Sequence, residues 1–149
     1  NKRNLINLNN INFLPLICYE IIYSGKINKN NEDFDLILNI SEDGWFGESV
    51  GPYQHFSHSI FRSIEEGKNL IRSGNNGISA FINQKGEIIN QIKSTERGFI
   101  EIKSFVKSKK TPFSSSGNKI FFYFLIFYII LIFFLKKNRR INEKKFFIY

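Results

Sequence analysis

The stretch FDLILNI, residues 34–40, decides the fold class because it is apolar at most of its positions. A run of this kind is typical of a strand that is buried on both faces, as in a parallel sheet. The apolar residues 13–18 predict an earlier strand. The helix-prone residues 19–23 and a polar loop separate it from the strand at 34–40. Further strands are predicted at residues 70–72, 78–82, 87–92 and 99–102, and an amphipathic helix at 53–69. The sequence therefore predicts a compact α/β domain.

The helix predicted at 53–69 carries two kinds of side chain that could be functional. An apolar stripe of Phe56, Ile60, Phe61 and Ile64 is expected to face the core. His55 and His58 are spaced as a metal-binding pair would be, but no third ligand accompanies them, so helix-face positions are the favoured interpretation and no metal is expected. The charged residues Arg62, Glu65 and Glu66 are interpreted as a solvated helix surface.

Cys18 is the only cysteine in the chain and lies where the strand at 13–18 gives way to the helix-prone stretch. It therefore has no disulfide partner within the chain. A thiol at a strand-to-helix turn gains from the positive end of the helix dipole, which favours the thiolate. The alternative is a buried cysteine that serves as a small hydrophobic residue. The position makes Cys18 a candidate nucleophile.

Residues 120–135 read IFFYFLIFYIILIFFL, which contains no charge and no helix breaker. A helix of this length reaches about 24 Å, somewhat short of the roughly 30 Å hydrocarbon core of a bilayer. Basic side chains that snorkel, together with local thinning, close that gap. Apolar residues on every face, followed by KKNRR, favour a membrane span over a buried core helix. The basic cluster after the span predicts a cytoplasmic C-terminus, although lysines also precede the span.

The chain contains 21 Lys and Arg and 13 Asp and Glu, for a net charge of +8. The distribution of these charges nevertheless argues against a nucleic-acid partner. Most of the excess brackets the hydrophobic stretch, as at a membrane boundary. No zinc-type spacing and no glycine-rich phosphate loop is present. The chain begins Asn1-Lys2-Arg3 and contains no Met, which indicates a piece of a longer protein. The predicted organisation is a domain at 1–110, a linker at 111–119, a span at 120–135 and a basic tail at 136–149.

Four segments together resemble the nitrilase superfamily of carbon–nitrogen hydrolases: PLICYE at 15–20, DLILNISEDGWFG at 35–47, GPYQHF at 51–56 and RSGNNGI at 72–78. Within it they resemble the apolipoprotein N-acyltransferase family, membrane enzymes that add the third acyl chain to bacterial lipoproteins. TPFSSSGN, residues 111–118, is similar to that family's link to its last helix. The chain has Glu42 where the family commonly has Asn, Gly74 where Thr is common, and serines in the linker where Arg is common.

The resemblance implies a partial nitrilase-like α-β-β-α sandwich, followed by one C-terminal transmembrane helix. It also implies that Cys18 is the nucleophile of a Glu-Lys-Cys triad whose Glu and Lys lie upstream of this chain, so that the chain alone is inactive. Cys18 would take an acyl group from a phospholipid as a thioester, and the N-terminal amine of an apolipoprotein would then accept it. No cofactor is expected.

The resemblance extends to further site residues: Tyr19 and Glu20 beside the nucleophile, Trp45 and Phe46 on a glycine-flanked loop, and Asn75 and Asn76 at a turn near the pocket. Tyr19 and Glu20 would orient the site, the alternative being a structural hydrogen bond. The two loop aromatics suit contact with acyl chains or with the membrane interface, the alternative being anchorage of the loop in the core.

The resemblance places the enzyme in the bacterial inner membrane as a monomer, with its catalytic domain on the periplasmic side and membrane lipids around it. Two other functions remain open. A nitrilase-type amidase would hydrolyse a small amide, with water in place of the amine acceptor, but such an enzyme needs no membrane anchor. A non-catalytic, membrane-tethered relic of the enzyme is the other alternative.

Overall fold

The computed structural model describes residues 4–28 and 30–146, and side chains as far as residue 137. The chain divides into two compact units, Asn1–Gly117 and Asn118–Tyr149. Each unit is described by itself below.

A six-stranded sheet, whose strands lie side by side in sequence order, forms the centre of the first unit. The strands are β1 (Ile6–Leu8), β2 (Ile11–Ile17), β3 (Leu36–Glu42), β4 (Asn69–Asn75), β5 (Ser79–Ile82) and β6 (Ile88–Ile92). Strands β2, β3 and β4 are parallel, whereas β1, β5 and β6 pair antiparallel with their neighbours. The predicted α/β class is confirmed, because helical segments connect the parallel strands, as parallel pairing requires.

One face of the sheet carries the hydrophobic core. In the register of the parallel strands, Leu14 lies beside Ile37, and Ile37 beside Leu70; all three are buried. Helix α1 (Gly51–Glu66) and a short 3₁₀ helix (Cys18–Ile22) pack against the strands of this sheet. Alternate residues of a strand point to opposite faces, and on the other face Ile17 and Ile40 are exposed neighbours.

The prediction of a strand at residues 99–102 is wrong, because residues 98–110 form neither strand nor helix. Instead of pairing with the edge of the sheet, Phe99, Ile100 and Ile102 line a cavity of about 210 Å³ together with Ile71 and Phe81. Ile100 and Ile102 are half-buried there, whereas Phe99 is 89 % exposed, so the apolar pattern of this segment does not mark a further strand.

Strand β1 was not predicted from the sequence. It forms a hairpin with β2 through Asn9 and Asn10, whose φ angles of 51° and 61° both lie in the left-handed region. Asparagine tolerates this region better than most residues, and paired left-handed residues make the tight turn that suits a hairpin. The Asn9-Asn10 pair was thus the sequence signal from which this hairpin could have been predicted.

Helix α1 turns a largely polar face toward the interior. The predicted apolar stripe is wrong in part, because Phe61 and Ile64 are exposed, while Phe56 is buried. The buried positions of the helix are Pro52, His55, Phe56, Ser59, Arg62, Ser63 and Glu66. The interpretation of residues 62–66 as a solvated surface is therefore wrong for Arg62 and Glu66, which hydrogen bonds and neighbouring elements enclose.

Residues 106–116 form a strap across the C-terminal end of α1. Val106 accepts a hydrogen bond from Asn69 Nδ2 at 2.8 Å, and Ser108 accepts one from Lys68 Nζ at 2.6 Å. The strap ends in the short helix α2 (Pro112–Ser116), where the Thr111 hydroxyl accepts the backbone N–H of Ser114 as an N-cap. Most of the stretch predicted as a linker thus lies in the first unit.

The second unit contains helix α3 (Lys119–Phe146). Its portion Lys119–Lys137 has a mean hydropathy of 2.2 and is long and apolar enough to cross a membrane. The helix continues beyond the predicted span at 120–135 into the predicted basic tail. The side chains of that tail from residue 138 onward, and residues 147–149 altogether, lie outside the described part of the chain.

Candidate active site

Cys18 lies at the carboxyl end of β2, in a sharp turn into the 3₁₀ helix. Its φ of 47° is left-handed, which is uncommon for a residue with a Cβ and costs free energy unless neighbouring groups hold it. The residue is half-buried. The helix that follows is a 3₁₀ helix of five residues, so only a few aligned peptide groups stand behind the thiol.

The two residues after Cys18 differ in their surroundings. A Glu20 carboxylate oxygen accepts the backbone N–H of Ile17 at 2.8 Å, which closes the turn around the cysteine. The Tyr19 side chain is exposed, and its ring centroid lies 5.6 Å from that of His55. Both residues therefore shape the surroundings of the thiol.

The sulfur of Cys18 faces the end of β3. Ser41 Oγ lies 3.7 Å from Sγ, and the carbonyl oxygen of Glu42 lies 4.0 Å away. Because β2 and β3 are parallel, their carboxyl ends meet at one edge of the sheet. This geometry brings a thiol and a hydroxyl that are distant in sequence into contact.

A buried ion pair lies directly behind Ser41. The Asp43 carboxylate accepts hydrogen bonds from Arg72 Nη2 at 2.7 Å, from His55 Nδ1 at 2.9 Å and from Ser41 Oγ at 2.8 Å. All four residues, which we call the thiol-side cluster, are buried. Sequence reasoning did not nominate Ser41, Asp43 or Arg72 as site residues, and it took His55 as a helix-face residue without predicting that its side chain is buried.

Asp43 keeps its charge in this cluster. Burial opposes ionisation, but the hydrogen bonds from His55 and Ser41 and the charge of Arg72 outweigh it and lower the pKa of Asp43 to about 2. An ionised carboxylate only accepts, so His55 Nδ1 carries the shared proton. The other ring nitrogen, Nε2, is buried and has no hydrogen-bond partner among the described residues.

Asn39 connects the ion pair to the cysteine turn. Its side-chain oxygen accepts a hydrogen bond from Arg72 Nη1. Its Nδ2 donates to the carbonyl oxygens of Leu16 at 3.0 Å and of Cys18 at 3.4 Å. Sequence reasoning missed this residue too, although a lone amide in the apolar run 34–40 was a usable signal, since a buried polar group must find partners.

The loop after β3 presents two aromatic side chains in different ways. Trp45 is 87 % exposed. Phe46 is half-buried, and its ring centroid lies 5.6 Å from that of His55. Tyr19 and Phe46 thus both contact the same imidazole.

Asn75 and Asn76 meet Glu42 at the ends of β4 and β3. The Nδ2 groups of both asparagines donate to the Glu42 carboxylate, that of Asn76 at 3.0 Å. The backbone N–H of Gly44 donates to the same carboxylate at 2.7 Å. The hydrogen bonds from Asn76 and Gly44 lower the pKa of Glu42. Glu42 therefore connects the end of β3 to the asparagine pair at the end of β4.

The described residues contain no group of three or more His, Cys, Asp or Glu side chains that could hold a metal ion. His55 is committed to Asp43. His58 is half-buried on the same helix, where burial and the charge of Arg62 lower its pKa.

A family model for carbon–nitrogen hydrolases matches residues 3–103. The chain therefore belongs to the carbon–nitrogen hydrolase family. A solved CN-hydrolase superfamily protein from Xanthomonas campestris superposes with a TM-score of 0.51 at 16 % identity, over 82 % of this chain and 48 % of that one. This likeness concerns the fold alone, and it confirms the expected partial nitrilase-like architecture.

Within the family, the chain is similar to apolipoprotein N-acyltransferases. It is 40 % identical over 117 residues to that of Wigglesworthia glossinidia brevipalpis, which is 78 % of this chain and 23 % of the relative. It is 48 % identical over 91 residues to that of Rhizobium leguminosarum, or 61 % of this chain and 17 % of the relative. The protein of Haemophilus influenzae is 40 % identical over 107 residues, 71 % of this chain and 20 % of its own length. The chain thus spans about a fifth of these relatives.

Proposed function

We propose that this chain supplies the nucleophile-bearing part of an N-acyltransferase that acylates apolipoproteins. The observation that carries the proposal is the half-buried Cys18, held in a left-handed turn at the carboxyl edge of the parallel strands. The 40–48 % identity to apolipoprotein N-acyltransferases supports the acyl-transfer chemistry.

The reaction has two steps that share one covalent intermediate. The Cys18 thiolate attacks the ester carbonyl of a phospholipid, the ester C–O bond breaks, and a lysophospholipid leaves with a proton. The α-amino group of the diacylglyceryl-cysteine of an apolipoprotein then attacks the thioester. The C–S bond breaks, the amine gives up one proton to a base, and the amide and the free thiolate result.

The base and the stabilising cation belong to other parts of the protein in this proposal. A Glu would take the thiol proton, give it to the departing lysophospholipid and later accept the proton of the amine. A Lys would stabilise the thiolate and the oxyanion. Both would come from regions of the relatives that this chain does not span, so the chain alone should be inactive. No cofactor takes part in the proposed steps.

The exposed groups around Cys18 suit a lipid substrate. The exposed Trp45 is available to an acyl chain or to the membrane interface, and the ring of the next residue, Phe46, contacts His55. Tyr19 and Glu20 orient the turn, and Asn75 and Asn76 shape the rim through Glu42. These roles make the carboxyl edge of the sheet the substrate face.

The proposed location is the bacterial inner membrane, with the catalytic unit on the periplasmic side and the enzyme acting as a monomer. The membrane-length apolar segment of α3 supports a membrane location. The basic residues that follow this segment support the orientation.

The complete protein in nanodiscs, supplied with a phospholipid that carries a labelled acyl chain, tests the proposal. We expect label on the Cys18 peptide as a hydroxylamine-sensitive thioester, and none in Cys18→Ala. Addition of a diacylglyceryl-cysteine lipopeptide should move the label to its amine. A Cys18→Ala protein that acylates the lipopeptide at the normal rate would contradict the mechanism. Release of free labelled acid, with no transfer to the amine, would instead indicate a hydrolase.

A further inference from the structure

The backbone of Cys18 has to be held in place. Its φ of 47° lies in the left-handed region, which glycine adopts freely but where a Cβ crowds the following carbonyl group. A cysteine relaxes from this conformation unless surrounding contacts over-determine it. The direction of its thiol depends on those contacts.

Asn39 makes contacts on both sides of this turn. It is fully buried on β3, and its Nδ2 donates to the carbonyl oxygens of Leu16 at 3.0 Å and Cys18 at 3.4 Å. The two carbonyls belong to the peptide groups before Ile17 and after Cys18. One amide group therefore restrains the peptide planes on either side of the Ile17–Cys18 dipeptide, which contains the left-handed residue.

Arg72 removes the freedom of the Asn39 amide to flip. A guanidinium only donates, and its Nη1 donates to the Asn39 side-chain oxygen, so Nδ2 must face Cys18. Arg72 is itself held by the Asp43 carboxylate at 2.7 Å and by the carbonyl of Ile78 at 3.2 Å. The buried ion pair thus determines where the amide hydrogens point.

We propose that Asn39 is a positioning residue that holds Cys18 in its left-handed conformation, with Arg72 setting the direction of the Asn39 amide. Asn39 acts through the backbone of Cys18 and not on the reacting atoms. The catalytic meaning of the inference rests on the proposed nucleophilic role of Cys18, whereas the backbone restraint itself does not.

The coupling between residues 39 and 18 tests the restraint in the complete protein in nanodiscs. Asn39→Ala is made in three backgrounds, namely wild type, Cys18→Ala and Cys18→Gly, and the thermal midpoint is measured in each. Alanine keeps the Cβ that strains the turn, whereas glycine needs no restraint there. We expect the drop in midpoint to be roughly twofold smaller in the glycine background than in the other two. Equal drops in all three backgrounds overturn the proposal.

Ser59→Ala is the matched control. Ser59 is also buried and accepts a hydrogen bond from Arg72 Nη1 at 3.4 Å, but it lies on α1 and does not hydrogen bond to the cysteine turn. Its drop in midpoint should be the same in all three backgrounds. If Asn39→Ala does not fold, Asn39→Asp takes its place, since it keeps an oxygen toward Arg72 and loses the amide donor.

Thioester formation provides the second readout. In the wild-type background, Asn39→Ala should lower the rate of labelling at Cys18 about tenfold with little change in the KM for phospholipid, because a misdirected nucleophile loses rate and not binding. An unchanged rate overturns the aiming role. The midpoint coupling requires no turnover, so it is readable even if the wild-type protein forms no thioester and the proposed function fails.

Discussion

Two polar clusters lie along α1, each with one buried carboxylate, and the pKa values of these two carboxylates shift in opposite directions. In the thiol-side cluster, Asp43 contacts a guanidinium and has a pKa of about 2. At the other end of the helix, Glu66 is 1 % exposed and accepts a hydrogen bond from the Ser114 hydroxyl. Burial raises the pKa of Glu66 despite that bond. The two carboxylates thus differ in what opposes burial: hydrogen bonds from His55 and Ser41 and the charge of Arg72 outweigh it at Asp43, whereas the Ser114 hydrogen bond does not at Glu66.

The second cluster, which we call the strap-side cluster, consists of Arg62, Glu65, Glu66, Thr111 and Ser114. Arg62 donates to Glu65 at 2.7 Å, and the Thr111 hydroxyl donates to the carbonyl of Glu65. The strap-side cluster joins α1 to α2 and to the strap, whereas the thiol-side cluster joins β3, β4 and α1 behind Cys18. The strap-side cluster holds the strap to α1, and the thiol-side cluster supports the turn that carries Cys18.

The largest effect is expected from breaking the ion pair of the thiol-side cluster. Arg72→Met leaves the Asp43 carboxylate buried without its cation and frees the Asn39 amide, and we expect a loss of about 3–5 kcal/mol in the free energy of unfolding. Denaturant unfolding measures it. Adding Asp43→Asn should restore part of the loss, because no uncompensated charge remains. If the Arg72→Met protein is as stable as the wild type, the ion pair contributes nothing to the free energy of unfolding.

A smaller effect is expected at the strap-side cluster from Thr111→Val. This change keeps the shape of the side chain but removes both the N-cap of α2 and the hydrogen bond to Glu65, so a loss of about 1–2 kcal/mol follows. Faster amide hydrogen exchange in residues 112–117, with unchanged exchange in β3, would place the loss at the strap. Thr111→Ser, which keeps the hydroxyl, is the matched control.

The smallest effect concerns pH and distinguishes the two carboxylates by sign. The raised pKa of Glu66 means that the folded state loses stability as pH rises from 4.5 through the folded pKa. Asp43 has the opposite sign, since its stabilisation is lost as pH falls from 3.8 to about 2. Thermal midpoints at several pH values above 4.5 should therefore fall less steeply in Glu66→Gln than in the wild type. The exposed Glu48→Gln is the control, and equal slopes in all three proteins would refute the assignment.

The sequence allowed the main elements of the fold to be predicted, because their signals are local. The apolar run 34–40, the strand before Cys18 and the membrane-length segment are each legible in a short window. The strand predicted at 99–102 failed for the same reason, since a local apolar pattern does not say whether a segment pairs with an edge or packs on a face.

The candidate site was less predictable, because its polar side chains are functional only as a set. Arg72 is far in sequence from Asn39 and Asp43, and each of the three by itself is an ordinary polar residue. Glu66 was misplaced on a solvated surface, and the burial of His55 was not predicted, because helical periodicity counts apolar residues, whereas the buried face of α1 is mostly polar. Such a face is tolerated only where partners satisfy it.

By itself, the sequence determined that Cys18 follows a strand and precedes a turn, and that an apolar segment follows the α/β domain. Only the tertiary structure decided what surrounds that thiol. Parallel pairing of β2, β3 and β4 brings three strand ends to one edge, and the buried Arg72 then holds both the charge of Asp43 and the amide of Asn39. The physical reason is that burial makes unpaired polar groups costly, so the fold selects the partners that sequence spacing does not reveal.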